Sequence, residues 1–425
     1  LKNIVSNLVK DVYIPKMFKV RQVFDRPMLS LDEIEAFIEE GIYSEAIGKQ
    51  IKPGMKIAIT AGSRGVANIA FITKTIVDVV KAKKAEPFII PAMGSHGGAT
   101  AEGQKSVLES YGLTENYLGC EIKSSMEVVK IGVNEEGMDV LIDKYASEAD
   151  GIIVCNRIKP HTCFRGPYES GLMKMMTIGL GKQSGAEVCH EAGFKHMSRY
   201  VPMFGKAILD QAPIICGIAL LENAFDETYK IRVLKASDIS EAEPELLSEA
   251  KKMMPRILFD ECDVLICDKI GKNYSGGGMD PNVTGTFVTP YASGGLKSQK
   301  VAVLDLSDES HGNGNGIGSA HATTRRFFDK MSFEMTYPNA ITSTVVDNVR
   351  IPMVMKSDKE ALQVCIRTCN EIDKKNPRII RISNSLDVEY IWLSESYYEE
   401  AKMNPMVQII SEPEHLSFDD QGNLF

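Results

Sequence analysis

The sequence predicts an α/β fold organised as two α/β domains of parallel-sheet character. Three observations predict it: short apolar runs alternate with segments of helical period, the runs end in glycine-rich loops, and the alternation begins afresh near residue 260. A length of 425 residues with 44% hydrophobic content supplies material for two cores.

The first element is an N-terminal strand, followed by an acidic helix over 31–40. The turn Lys52-Pro53-Gly54 then introduces a strand over 55–60, closed by Gly62-Ser63-Arg64-Gly65. Ile69, Ile72, Ile76, Val79 and Val80 recur at helical spacing, which completes one strand-loop-helix unit. A second unit follows at once: a strand over 87–93, the loop Gly94-Ser95-His96-Gly97-Gly98, and a helix for which Thr100 is the expected cap. A third strand, 151–155, is apolar throughout, as a strand buried on both faces should be, and leads into Asn156, Lys159, Pro160 and His161.

Beyond Met253-Met254-Pro255 the pattern restarts. This places an N-terminal domain over residues 1–258 and a C-terminal domain over 259–425. The second domain is read as strands over 263–268 and 301–306, glycine-rich loops over 271–278 and 312–318, helices over 320–330 and 359–369, and extended segments over 379–382 and 390–393.

Composition excludes several classes. A net charge of -9, a single Trp and no block of Lys and Arg argue against a nucleic-acid partner. No apolar stretch is long enough to span a bilayer, and the start of the chain lacks the pattern of a secretion signal, so no membrane partner and a cytoplasmic location are expected. The nine cysteines show no CxxC spacing and read as reduced thiols. Gly179-Leu180-Gly181-Lys182-Gln183-Ser184 is not a phosphate loop, because Met176 and Gln183 occupy positions that GxxxxGK[ST] reserves for Gly and Ser or Thr.

Three strands carry Arg64, His96 and His161 to the loops that follow them. In a parallel sheet the ligand crevice lies beyond the carboxyl ends of the strands. Two of the chain's seven histidines on such loops suit proton exchange at neutral pH. Arg64 and Arg165 are candidate carboxylate clamps, each with surface charge as the plain alternative. Taken alone, Lys174 reads first as a solvated helix residue and His190 as a buried polar residue satisfied by backbone, ahead of any cofactor role.

Gly94-Ser95-His96, Lys159-Pro160-His161, Ser170-Gly171-Leu172-Met173-Lys174 and His190, sixteen positions beyond Lys174, together resemble the ordered signature of the nickel-dependent lactate racemase superfamily. Where that family has Asp and Pro around the first arginine, this chain has Ala61 and Gly65. The resemblance implies two α/β domains with the active site in the cleft between them. It implies that Lys174 bears a nickel pincer nucleotide, that His190 ligates its nickel, that His96 and His161 serve as acid and base, and that Arg64 holds substrate or cofactor. The implied reaction is racemisation or epimerisation of a 2-hydroxy acid by proton-coupled hydride transfer, with cofactor-maturation enzymes as partners.

Arg165 beside His161 directs the substrate reading toward malate or another dicarboxylic 2-hydroxy acid. A sugar-acid epimerase competes, because Asp268, Lys272, Tyr274, Asp280 and Asn282 offer polar groups in the second domain, Lys272 foremost. Two rivals come from other classes. A nicotinamide-dependent hydroxy-acid dehydrogenase requires a GxGxxG turn that the chain lacks. A non-catalytic metal- or anion-binding protein would bind without interconverting enantiomers.

Overall fold

Ile57, Ala58 and Ile59 are fully buried, as are Ile152, Ile153 and Val154, and these apolar runs form the middle of a five-stranded sheet. The computed structural model describes residues 3–425. The sheet runs in the order Glu86–Pro91, Lys56–Ala61, Gly151–Arg157, Ile214–Glu222, Thr228–Lys235. Its first four strands are parallel, and the last is an antiparallel hairpin partner. The helix Ile69–Ala82 buries Ile72, Ile76, Val79 and Val80 against this sheet, each worth roughly 1.5–3 kcal/mol. Ser30 caps the helix Leu31–Tyr43 in a reciprocal box with Glu33. Thr100 caps Ala101–Ser110 as expected, its hydroxyl accepting from the Gly103 N–H at 3.0 Å.

The chain divides into two compact units, Asp25–Met254 and Leu1–Phe24 with Pro255–Phe425. The chain passes from the first of these units to the second between Met254 and Pro255. Residues 3–24, read from the sequence as part of a domain of 1–258, belong to the second unit. The reason is strand pairing: Met17–Gln22 lies antiparallel between Tyr390–Ser394 and Val407–Ile409. That second sheet has eight strands, and Met353–Met355, Ala322–Thr324, Lys297–Leu306, Glu261–Ile270 and Ile379–Ile382 form its parallel part.

The helix expected over 320–330 is also corrected. The β-branched pair Thr323-Thr324 extends the sheet as a short strand, and the helix begins only at Arg325, capped by Thr324. Asp358–Thr368 forms the other expected helix. No helix among the described residues is long and apolar enough to cross a membrane.

Candidate active site

Three adjacent strands of the five-stranded sheet point their carboxyl ends the same way, and each is followed by one of the singled-out residues. His96 follows Glu86–Pro91, Arg64 follows Lys56–Ala61, and His161 follows Gly151–Arg157. The segment carrying Lys174 and His190 belongs to the same unit. It starts as the turn Leu172–Lys174, continues as a π-helical stretch Met175–Leu180, and re-forms as the helix Lys182–Glu191. A π-helical stretch widens the hydrogen-bond ring and is a common accompaniment of a functional position.

The loop from Lys159 to Ser170 is closed by a reciprocal pair of backbone bonds between those two residues, 2.9 and 3.0 Å. At its heart lies the fully buried carboxylate of Glu169. This carboxylate accepts from the His161 N–H at 2.8 Å, from Arg165 at 3.2 Å and from Lys251 at 2.6 Å. Arg165 also donates to the His161 carbonyl at 2.6 Å. Its guanidinium is thus first a brace for the His161 loop.

The His161 ring is fixed from within this loop. Its Nδ1 accepts from the Cys163 N–H at 3.0 Å, so in the neutral imidazole the proton resides on Nε2. The ring packs on Phe164 at 4.5 Å between centroids, and Phe194 lies 6.0 Å from it and 5.8 Å from the His190 ring. Burial, followed by the charges of Lys174 and His190, holds the His161 pKa well below its ordinary value. His161 is a neutral hydrogen-bond donor.

Lys174 is only partly exposed, and its amine makes no hydrogen bond or ion pair among the described residues. Burial lowers its pKa to about 8, against the opposing influence of Cys163 and with help from Arg64. His190 is brought down to about 4 by burial and by Lys174, and its Nδ1 is buried without a partner. Arg64, His161, Lys174 and His190 therefore share one electrostatic neighbourhood. His96 stands beside it: its Nδ1 bonds the Ser63 hydroxyl, next to Arg64 in sequence, and Ser63 is steadied by Tyr111 donating to its carbonyl at 3.1 Å.

Gly94 serves the His96 loop by taking a φ of +60°, which a side chain disfavours. The glycines of the rejected phosphate loop have a packing role. A β-carbon on Gly179 would lie 2.6 Å from the Ala92 carbonyl, so glycine lets the π-helical stretch press on the base of the His96 loop.

Four of the five second-domain candidates make contacts within their own unit. Asp268 pairs bidentately with Arg381 at 2.8 and 2.9 Å, and Asp280 caps a short helix while binding Asn282. Lys272 lies in the other unit and donates to the Gly276 carbonyl at 2.7 Å.

Sequence reasoning passed over Ser63, Glu169 and Glu243. Glu243 is fully buried on the helix Ile239–Met253, where it replaces an apolar residue in the stripe of Ile239, Leu246, Leu247 and Ala250. That interruption was the available signal. Its carboxylate accepts from the Met173 N–H at 2.9 Å, at the start of the Lys174 turn.

Residues 10–200 match the family model described as the lactate racemase N-terminal domain. The fold is similar to that of the lactate racemase apoprotein from Thermoanaerobacterium thermosaccharolyticum, with a TM-score of 0.55 and 14% identity, covering 86% of this chain and 94% of that one. It is also similar to a Thermotoga maritima protein solved by structural genomics, with a TM-score of 0.52 and 11% identity over 85% of this chain and 98% of that one. At such identities these two likenesses speak to fold. No curated protein matches the chain.

Proposed function

The chain belongs to the lactate racemase superfamily, and from that premise we propose that it racemises or epimerises a 2-hydroxy acid. The observation that carries the reading is the pairing of a partnerless amine at Lys174, with its pKa near 8, and an orphaned imidazole nitrogen at His190 in one neighbourhood. An amine so lowered is nucleophilic near neutral pH, and a neutral imidazole is a good nickel ligand. No group of three or more His, Cys, Asp or Glu side chains is arranged to hold a metal among the described residues, so a metal on His190 takes its other donors from elsewhere.

These residues fit a nickel pincer nucleotide, with Lys174 holding it and His190 ligating the nickel. When bound, that group supplies a ring that accepts and returns a hydride. The chain's residues supply the rest. Arg64 binds the substrate carboxylate through parallel hydrogen bonds. His96 takes and returns a proton at Nε2, because the Ser63 hydroxyl on its other nitrogen can donate or accept. His161, neutral with its proton on Nε2, donates a hydrogen bond that orients the substrate oxygen.

The substrate is malate or a related dicarboxylate. Arg165 beside His161 supports this reading, its guanidinium held at the loop by the His161 carbonyl and Glu169.

The test is nickel per chain, with intact mass, in protein made in a host that produces the cofactor and loads a control lactate racemase. Near-stoichiometric nickel, lost in His190→Ala, with interconversion of D- and L-malate faster than of lactate, is the expected result. No nickel and no adduct on Lys174 in that host would overturn the reading.

A further inference from the structure

Lys182 opens the helix Lys182–Glu191 with no solvent exposure, at a φ of +53° that a residue with a β-carbon disfavours. Its side chain accounts for the position. The ammonium lies 2.9 Å from Oδ2 of the fully buried Asp143 and 3.1 Å from Oε1 of the fully buried Gln104, and it also donates to the Pro91 carbonyl. Two of its protons thus have hydrogen-bond acceptors, and the Asp143 carboxylate is its ion-pair partner. Gln104 carries the connection onward, its Nε2 donating to the carbonyls of Gly94 at 2.8 Å and His96 at 3.2 Å.

Pro91 ends the strand from which the His96 loop departs. One ammonium therefore grips that loop twice, at its root through Pro91 and at the histidine itself through Gln104. It does so from the segment that holds Lys174 on one side and His190 on the other. Across the same seam the Gly94 N–H meets the Gly179 carbonyl at 3.4 Å. A buried ion pair is a poor source of stability compared with apolar groups of equal volume, so its contribution here is geometric.

We propose that Lys182, through Gln104, is a positioning residue that keeps the His96 ring in register with the segment bearing Lys174 and His190. The inference rests on the reaction proposed above, in which His96 moves the proton. Its test uses two variants. Lys182→Met with Asp143→Leu removes both charges together, so neither is left buried alone. Gln104→Leu cuts only the link to the loop.

In both, nickel content should stay within about twofold of wild type, while kcat falls about 10- to 100-fold with KM little changed, as for a displaced catalytic group. In the cofactor-free protein, amide exchange at Gly94 and His96 should accelerate about tenfold or more while amides of Gly151–Arg157 keep their rate. Unchanged exchange at Gly94 and His96 in both variants would overturn the proposal, as would nickel falling in step with activity. A wild type that interconverts no hydroxy acid while the variants still loosen the loop would support the pin and overturn the reaction assigned to it.

Discussion

Glu243→Gln should stabilise the protein above neutral pH and leave it unchanged in acid. Burial pushes the Glu243 carboxyl from its ordinary 4.5 up to about 7, although the N–H groups of Met173 and Leu172 pull the other way. The folded state therefore holds its proton more tightly than the unfolded chain does. The stability this confers is fully present below pH 4.5 and is lost as pH rises to about 7. At about 1.4 kcal/mol per pH unit, keeping the ionised carboxylate buried at pH 8 costs about 3 kcal/mol, which glutamine escapes while still offering an oxygen to the Met173 N–H.

The difference between variant and wild type isolates this group from every other titration. The single Trp392 lies in the other unit, so exchange of the amides of the buried residues 151–155 is the better probe than fluorescence. Near-equal stability at pH 4 and a gain of about 2–3 kcal/mol at pH 8 is the expected result. A variant no more stable than wild type at pH 8 would refute the burial argument. The charge is tolerated because it holds the Lys174 turn. Gly171 has no side chain for the same reason, since a β-carbon there would fall 2.2 Å from Glu243 Oε1.

Lys174 should react with a small amine-directed acylating reagent with a midpoint near pH 8, since burial lowers its pKa to about 8. At pH 7.5 about a quarter of it is then the free amine, against about 0.1% of an ordinary surface lysine, and peptide mass mapping checks the order of labelling; a midpoint above 10 would contradict the assigned environment. Histidine-selective ¹⁵N spectra of the cofactor-free protein should show His161 with its proton on Nε2 and still neutral at pH 6, because Cys163 donates to Nδ1 and burial opposes the cation. A proton on Nδ1, or an imidazolium at pH 6, would remove it from the donor role.

Much of the candidate site's placement on the fold was legible because its positions follow from local rules. An apolar run buried on both faces, then glycine or proline, then Arg64, His96 or His161 describes a parallel strand and the loop at its carboxyl end, and the observed order of adjacent strands brings those loops together. What was not legible depends on partners distant in sequence. Met17–Gln22 has the pattern of a strand, but nothing in it specifies pairing with Tyr390–Ser394 across most of the chain. Arg165 has the charge of a clamp, and only the buried Glu169 shows that it braces the loop first.

The instructive cases are Glu243 and Lys182. Both place a charge on the buried face of a helix, the one among Ile239, Leu246 and Leu247, the other in line with Ala186 and Cys189. Burying a charge is costly unless its partners are in place. A sequence reading that flags every charged residue falling in phase with a buried stripe would have found both. It would not have identified Met173 or Gln104 as what they hold. Such breaks in local consistency are expected where function outweighs stability. Here both lead, within one or two hydrogen bonds, to the segments carrying Lys174 and His96.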